Sequence, residues 1–249
     1  MQSLWFIVPA HGRLELARIC LAQLRRTVDA LEQNGLRASA VVIADDENLD
    51  TAKEMGFATV ERDNRFTSRR FNDGIQLACD PRFNPNPVTH VAMVGSDDWV
   101  DWRLFVDLPR ENTMVGFQRM SFVNEDASEL TVRHIRSEGG CGIRIYPRRV
   151  MYRMGYRPAD EDRKRGCDTS ILVNVKQELG EAFHVEHRDL DPLQIVDWKS
   201  HGENLNPYDT LARHKQELKR DPFQVLAGRW PAEALTAMQT HYYGAMVAA

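Results

Sequence analysis

Cysteine is scarce in this chain of 249 residues, and the four present, Cys20, Cys79, Cys141 and Cys167, stand far apart. With no Cys-x-x-Cys pair, neither a zinc ribbon nor a disulfide scaffold is available to hold the fold. Free thiols in a reducing compartment are the expectation. Long hydrophobic runs are missing too: no stretch approaches the ~18 apolar residues of a membrane-spanning helix. The opening residues Met1-Gln2-Ser3-Leu4-Trp5-Phe6-Ile7-Val8-Pro9 contain no basic segment, and their apolar run is short for a signal peptide. A cytoplasmic protein is therefore expected. Excess positive charge is also lacking, since 32 Lys and Arg against 36 Asp and Glu give a formal net charge of −4. Domains that bind duplex nucleic acid are usually strongly basic, so such a partner is disfavoured and any phosphate site must be a local cluster. Internal repeats, low-complexity tracts and clean linkers are absent. Apolar residues at 43% and charged residues at 27% are ordinary for a globular chain, which at this length buries a sizeable core.

What is present is a regular alternation. Residues 4–8 form a short apolar run rich in β-formers, ending at Pro9 with Gly12 beyond, and read as a buried parallel strand that runs into a loop. Over residues 14–33, Leu14, Ala17, Leu21, Leu24, Val28 and Leu31 recur at spacings of three and four, which predicts an amphipathic helix stopped by Asn34-Gly35. A second buried strand is predicted over 38–44, ending in the acidic turn Asp45-Asp46-Glu47-Asn48. Then follow a short helix over 50–55, a strand over 57–60, a helix over 67–78, a proline-rich loop over 80–87 and a strand over 90–94. The alternation predicts an α/β fold with a mostly parallel sheet and crossover helices. Ligands bind such sheets at the carboxyl ends of the strands. Three of those ends carry polar clusters: residues 9–13, Asp45-Asp46 and Asp97-Asp98.

The second half is less regular. A strand is predicted over 114–123, a glycine-rich and then β-like stretch over 139–146, a helix over 168–179 and a loop over 201–208. Two helical patterns, 208–219 and 231–246, close the chain as a C-terminal appendage. Residues 235–249 are apolar enough to pack on a neighbouring molecule or on their own domain.

Several constellations carry chemistry. Asp97 and Asp98 are adjacent carboxylates after a buried strand, and their repulsion calls for compensation. A divalent cation would provide it, as would a solvated turn or a helix cap. Asp45-Asp46 stands where a nucleotide-binding sheet often presents an acid to ribose or base, although acidic turns are common there. Arg62, Arg65, Arg69 and Arg70 form a basic run that suits either phosphate recognition or a solvated face. His184, Glu186 and His187 do not form a metalloprotease motif and read as a surface strand or loop.

In order, these pieces resemble a GT-A glycosyltransferase of the family-2 type, with a fainter similarity to small bacteriophage-encoded glycosyltransferases. The pieces are Val8-Pro9-Ala10-His11-Gly12-Arg13, Ala44-Asp45-Asp46, Arg70-Phe71-Asn72-Asp73-Gly74 and Val94-Gly95-Ser96-Asp97-Asp98-Trp99, and the likeness runs from residue 4 to residue 175. It implies a Rossmann-like, mostly parallel sheet flanked by helices over residues 1–207. Residues 1–100 would form the nucleotide-binding half and 101–207 the acceptor and catalytic half, with 208–249 packing on the same domain. It further implies metal-dependent transfer of a sugar from a nucleotide-sugar donor, a UDP- or GDP-sugar, with inversion by one carboxylate base.

The donor site would comprise Pro9, Ala10, Gly12, Arg13, Asp45, Asp46, Arg69, Asn72, Ser96 and Asp97. Asp97, Asp98 and the later His201, in Trp198-Lys199-Ser200-His201, would hold Mn²⁺ or Mg²⁺, with Lys199 near a phosphate; an ordinary loop histidine is the other reading of His201. One departure is that a full DXD motif has an acid where Gly95 stands.

The family's base follows a glycine-rich stretch, here Gly139-Gly140-Cys141-Gly142-Ile143. Its candidates are Glu161-Asp162 and Asp168. Asp168 is favoured because an apolar helix starts directly after it, where it would also serve as an N-cap. A base there would take the acceptor hydroxyl's proton, while the metal and arginines stabilise the departing diphosphate. Protein, lipid, polysaccharide and modified nucleobase all stay open as acceptors. Two rivals stand beside this reading: a sugar-phosphate nucleotidyltransferase, whose glycine-rich first loop is reduced here to Gly12, and a non-catalytic binding protein of the same fold.

Overall fold

A computed structural model of the chain describes residues 2–200, 208 and 217–244. The apolar runs of the first half are parallel strands. β1 (Ser3–Pro9) lies between β2 (Arg37–Ala44) and a strand at His90–Met93, parallel to both, with a third strand, Ala58–Glu61, beyond β2. In chain order these two are β4 and β3.

Both faces of this sheet are covered, which is why its central strands are apolar throughout. Alternation along β1 sends Leu4, Phe6 and Val8 to one side, where Leu21, Leu24, Val28 and Leu31 of α1 (Leu14–Gln33) pack. Ile7 faces the other side, with Ile75, Ala78 and Cys79 of an α-helix at Thr67–Cys79. That helix is α3; α2 (Asn48–Glu54) is the short helix between β2 and β3. Helix α1 stops where Asn34-Gly35 suggested, because Gly35 takes the left-handed conformation at φ +83° and Leu36 N–H bonds back to the Leu31 carbonyl at 3.0 Å.

Gly74 sets the depth of α3. A Cβ at this position would stand 2.6 Å from Ile7 Cγ2 and 2.7 Å from Ile43 Cδ1. Its place in the Asn72-Asp73-Gly74 motif is thus one of close helix–sheet packing.

The sheet continues on the far side of β4 with mixed polarity. β6 (Thr113–Phe117), β9 (Arg144–Pro147) and β10 (His184–Arg188) complete the order β10-β6-β9-β4-β1-β2-β3, with β9 antiparallel to β4 and β6. Short α4 (Arg148–Arg153) and the longer α5 (Cys167–Leu179) follow β9. β10 is an exposed edge strand, so His184, Glu186 and His187 lie on the surface as read from sequence.

The single strand expected over 114–123 is two. The chain breaks at Gln118, whose N–H bonds to Arg188 and whose carbonyl accepts from Ile135. This lets the chain cross into a second sheet, β12-β8-β7-β11-β5. Its members are β5 (Asp98–Val100), β7 (Arg119–Val123), β8 (Glu129–His134), β11 (Ile195–Trp198) and β12 (Glu217–Arg220).

β12 corrects the helix expected over 208–219. Glu217–Arg220 pairs antiparallel with β8 and so satisfies that strand's edge; residues 209–216 lie outside the described ones. Beyond it come α6 (Pro222–Leu226) and α7 (Ala232–Gln239). This closing segment buries Phe223, Leu226, Trp230, Leu235, Met238 and Tyr242 against Leu16 and Ile19 of α1 and against Trp99 and Trp198. All four cysteines are buried and free. Among the described residues no helix is long and apolar enough to cross a membrane.

Gly74→Ala forces a methyl group onto two branched side chains and is expected to cost about 1–3 kcal/mol, the usual range for overpacking. Urea unfolding measures it; a midpoint equal to that of the unsubstituted protein would show that Ile7 and Ile43 yield freely.

Candidate active site

The carboxyl ends of β1 and β4 open onto a cleft of ≈ 340 Å³. Its acidic wall is built by strand pairing. β5 and β11 run antiparallel in a register that sets Asp98 directly across from Asp197. Side chains alternate along a strand. The two acids therefore face the cleft, and the tryptophans that follow them, Trp99 and Trp198, pack edge-on behind it at 5.0 Å. Asp97 joins the pair through its carbonyl, which accepts from Trp198 N–H at 2.9 Å. One oxygen from each of Asp97, Asp98 and Asp197 lies within 4.8 Å of the other two.

Gly95 belongs to this arrangement. Its N–H donates to Asp98 Oδ2 at 2.8 Å. A Cβ at this position would stand 2.7 Å from Asp97 Oδ1 and 2.8 Å from Asp98 Oδ2. A side chain at position 95 would meet these two carboxylate ends, which would have to turn aside. Asp98 also opens a strand, so it caps no helix.

Two cations answer the three acids. Arg13 Nη1 donates to Asp97 Oδ2 at 2.6 Å and its Nη2 to Ser96 Oγ at 3.3 Å. Lys199 Nζ donates to Asp197 Oδ2 at 2.6 Å. Arg13 stands at the start of α1 in the left-handed conformation, φ 45° and ψ 41°, which costs an L-residue about 1–2 kcal/mol. Strain of this kind gathers at functional sites. Burial pushes the Asp97 carboxyl up, but Arg13 and Lys199 outweigh it and hold it below its ordinary value. Asp98 is driven well above the carboxylate range by burial and by the charges of Asp197 and Asp97. Asp197 is pushed up to about 6, by burial first, against the pull of Lys199.

The residues present fit a hard divalent cation. All three donors are carboxylates, the ligand type of Mg²⁺ and Mn²⁺. Among the described residues Asp197 Oδ1 is buried without a hydrogen-bond partner, and a buried polar atom in that state is costly unless something meets it. His201 lies outside the described residues.

Beside the acidic wall, at the ends of β1 and β2, Pro9 and His11 line the cleft. Asp45 accepts from His11 Nδ1 at 3.1 Å, from Asn64 N–H at 2.9 Å and from Arg70 Nη2 at 3.0 Å. Arg70 is fully buried and also donates to the carbonyls of Ala10, Arg62 and Asp63. Asp46 accepts from Gly12 N–H at 2.7 Å and from Asn48. Ala10, Gly12, Asp45 and Asp46 thus fix the loop after β1 from behind.

Arg69 and Asn72 are placed elsewhere. Arg69 pairs with Asp162 at 2.8 Å, and Asn72 is bonded to Ala159 and Glu161. Both hold the segment before α5, and neither is among the residues lining the cleft.

Asp168 lines the cleft on the side of α5. It sits in the first turn of that helix, whose cap is Gly166, and makes no capping hydrogen bond. Arg144 Nη2 instead donates to Asp168 Oδ2 at 2.8 Å, and the same guanidinium bonds the Gly139 and Cys141 carbonyls. Of the glycine-rich stretch, Gly142 lines the cleft, while Gly139 packs on Arg144. Glu161 and Asp162 are engaged by Arg157 and Arg69.

Sequence reasoning missed Asp197. The signal was an acid inside the apolar run Ile195-Val196-Asp197-Trp198, where burial is expensive without a partner.

No protein-family model matches the chain, and no curated protein matches it in sequence. Solved structures do resemble it. A Drosophila β-1,4-galactosyltransferase 7 mutant in complex with manganese, UDP-Gal and xylobiose aligns with a TM-score of 0.50 and 13% identity, over 95% of this chain and 84% of that one. Glucosyl-3-phosphoglycerate synthase from Mycobacterium tuberculosis, in complex with Mn²⁺, UDP and glucosyl-3-phosphoglycerate, aligns with a TM-score of 0.51 and 12% identity, over 91% of this chain and 79% of that one. The fold is therefore of the GT-A type: a mixed, mostly parallel sheet flanked by helices.

Asp98→Asn keeps an acceptor for Gly95 N–H and removes a repelled charge. The raised carboxyl of Asp98 lets the folded state hold its proton longer than the unfolded chain does. Its destabilisation therefore begins as pH rises through the unfolded value and is complete above the folded one. In metal-free protein the variant should match the unsubstituted chain near about pH 4 and melt progressively higher than it as pH rises. Thermal unfolding across this range decides; a Tm difference independent of pH would contradict the repulsion.

Proposed function

We propose that the chain is a metal-dependent glycosyltransferase that moves a sugar from a nucleotide-sugar donor to an acceptor hydroxyl with inversion. One observation carries this reading: at the carboxyl edge of a GT-A sheet, one cleft holds three clustered carboxylates with two cations on one wall and a separate, arginine-held carboxylate on another. A cleft with this charge pattern suits a diphosphate leaving group bridged by a metal, with a base opposite.

In this reading Asp97, Asp98 and Asp197 hold Mn²⁺ or Mg²⁺, which supplies charge neutralisation to the departing diphosphate. Arg13 and Lys199 add positive charge from either side. Pro9, His11 and the loop fixed by Asp45, Asp46 and Arg70 bound the nucleoside end. Asp168 accepts the acceptor's hydroxyl proton as the new C–O bond forms and the anomeric bond to the diphosphate breaks with its electron pair. Arg144 fixes one oxygen of Asp168 and leaves the other for that proton. A glycosidase would instead need two carboxylates working as a pair at defined separation.

UDP is the first nucleotide to test, because the solved structures of similar fold are complexes with UDP or UDP-Gal. The family-2 likeness and the fainter phage likeness rest on the sequence motifs, as does the cytoplasmic location on composition. Residues 208–249 belong to the same working unit as 1–207 in this proposal, supported by the Tyr242 hydroxyl bonded to the Lys199 carbonyl at 2.5 Å.

Calorimetric titration of nucleoside diphosphates and nucleotide sugars, with and without Mn²⁺, tests the donor site. Metal-dependent binding of one nucleotide, lost in Asp97→Ala, is the expected outcome; no binding by any nucleotide with metal present would favour a non-catalytic protein. Asp168→Asn should retain donor binding and lower the turnover of that donor by about 10²–10⁴-fold, the usual contribution of a general base. Unchanged turnover would move the base to another residue.

A further inference from the structure

We infer that Arg13 and Lys199 are resident counter-ions of the acidic cluster which compete with the divalent cation in the free protein and are drawn off by the donor's diphosphate. The inference rests on the nucleotide-sugar reading of the site and adds an order to it: the cation binds weakly alone and tightly once a nucleoside diphosphate is present.

Geometry is the ground for it. Arg13 Nη1 and Lys199 Nζ each lie 2.6 Å from a carboxylate oxygen, Asp97 Oδ2 and Asp197 Oδ2. Each cation thus holds one oxygen of its acid and sets its positive charge beside the carboxylates a metal would use. Both pairs are enclosed, with side-chain exposures of 14% and 17% for Arg13 and Asp97 and 6% and 13% for Lys199 and Asp197, so solvent screens them little. A divalent ion entering this cluster meets two fixed positive charges as well as three acids.

Both cations also line the cleft, so a ligand there is within their reach. A diphosphate offers them several anionic oxygens, and a guanidinium matches phosphate at two points. Among the described residues, Arg13 has besides Asp97 only a long side-chain bond, to Ser96 Oγ at 3.3 Å, to hold it in its present place. Its left-handed backbone fixes the start of α1, so the side chain alone would turn. Once it does, one positive charge leaves the Asp97 carboxylate and no longer opposes the metal. Linkage then requires that the metal strengthen nucleotide binding by the same factor.

A diphosphate that ligates the metal directly would also couple the two, so coupling by itself is not diagnostic. The sign of a charge-removing substitution is. Free Mn²⁺ is followed by its electron paramagnetic resonance signal, with Mn²⁺ alone and with UDP, for the unsubstituted protein, Arg13→Met, Arg13→Lys and Lys199→Gln. Arg13→Met is expected to bind Mn²⁺ alone at least about fivefold tighter, the lower end of ordinary coupling factors, and to lose the same factor from the enhancement by UDP. Lys199→Gln should shift in the same direction, and Arg13→Lys should stay near the unsubstituted protein.

If neither Arg13→Met nor Lys199→Gln binds Mn²⁺ more tightly, or no form binds it, the inference is overturned. Circular dichroism of each variant separates that outcome from misfolding. Failure of UDP and of every other nucleoside diphosphate to bind any form would overturn the donor reading, while the titrations with Mn²⁺ alone would still decide the competition.

Discussion

Everything around the cleft depends on one cross-strand pair, Asp98 opposite Asp197. Like charges directly opposed in an antiparallel ladder are destabilising. The pair persists here because much of the molecule's second half is arranged to hold it. Thr27 of α1 bonds the Val100 carbonyl on β5, and Asp101 N–H bonds the Gln194 carbonyl just before β11. Behind the two acids, Trp99 and Trp198 pack on each other, and Trp230, Phe223 and Tyr242 surround them. Aromatic side chains of this size carry a large apolar burial. The closing segment is thus the buttress of the acidic wall, fastened to it by Tyr242 at the carbonyl of Lys199.

The same pair explains why the site is balanced rather than neutral. Three carboxylates against Arg13 and Lys199 leave one negative charge in excess if all are ionised, and burial first, with the neighbouring acids adding to it, raises the Asp98 and Asp197 carboxyls. Protonation relieves it at low pH, and a divalent cation would relieve it at neutral pH. A cluster that is least comfortable when metal-free and fully ionised is one that a cation stabilises by mass action. Stability and ligand binding are therefore linked through the same oxygens.

Much of the first half was legible in the sequence, because β1, β2 and β4 are covered on both faces and so read as unbroken apolar runs. Asp97 and Asp98 were legible for a related reason: acids directly after a buried strand stand out. Asp197 was not, since its role comes from pairing with a residue remote in sequence, and no local pattern encodes that register. Gln118 hid a change of sheet inside one apolar stretch. Residues 217–219 read as the end of a helix, yet the open edge of β8 recruits 217–220 as strand. Asn72 and Arg69 were visible in the sequence, but their partners Ala159, Glu161 and Asp162, remote along the chain, were not. For Gly95 the sequence offered a missing acid; only the distances reveal that a side chain there would meet the carboxylate ends of Asp97 and Asp98.

A single device recurs at the carboxylates of the cleft. Asp168 has one oxygen held by Arg144, Asp197 has one held by Lys199, and Asp97 has one held by Arg13. A carboxylate pinned at one oxygen keeps its orientation without losing its second oxygen, and fixed geometry is what proton transfer and metal ligation both require. The device also differs between walls in a way that matches their proposed work. Arg144 is buried and tied to the Gly139 and Cys141 carbonyls, so it is a firmly held support for Asp168. Among the described residues, the Arg13 side chain has only Ser96 besides its acid, and it lines the cleft. A support that never leaves suits a base that must hold one position through every turnover. A support that can leave suits an acid whose partner changes when substrate arrives.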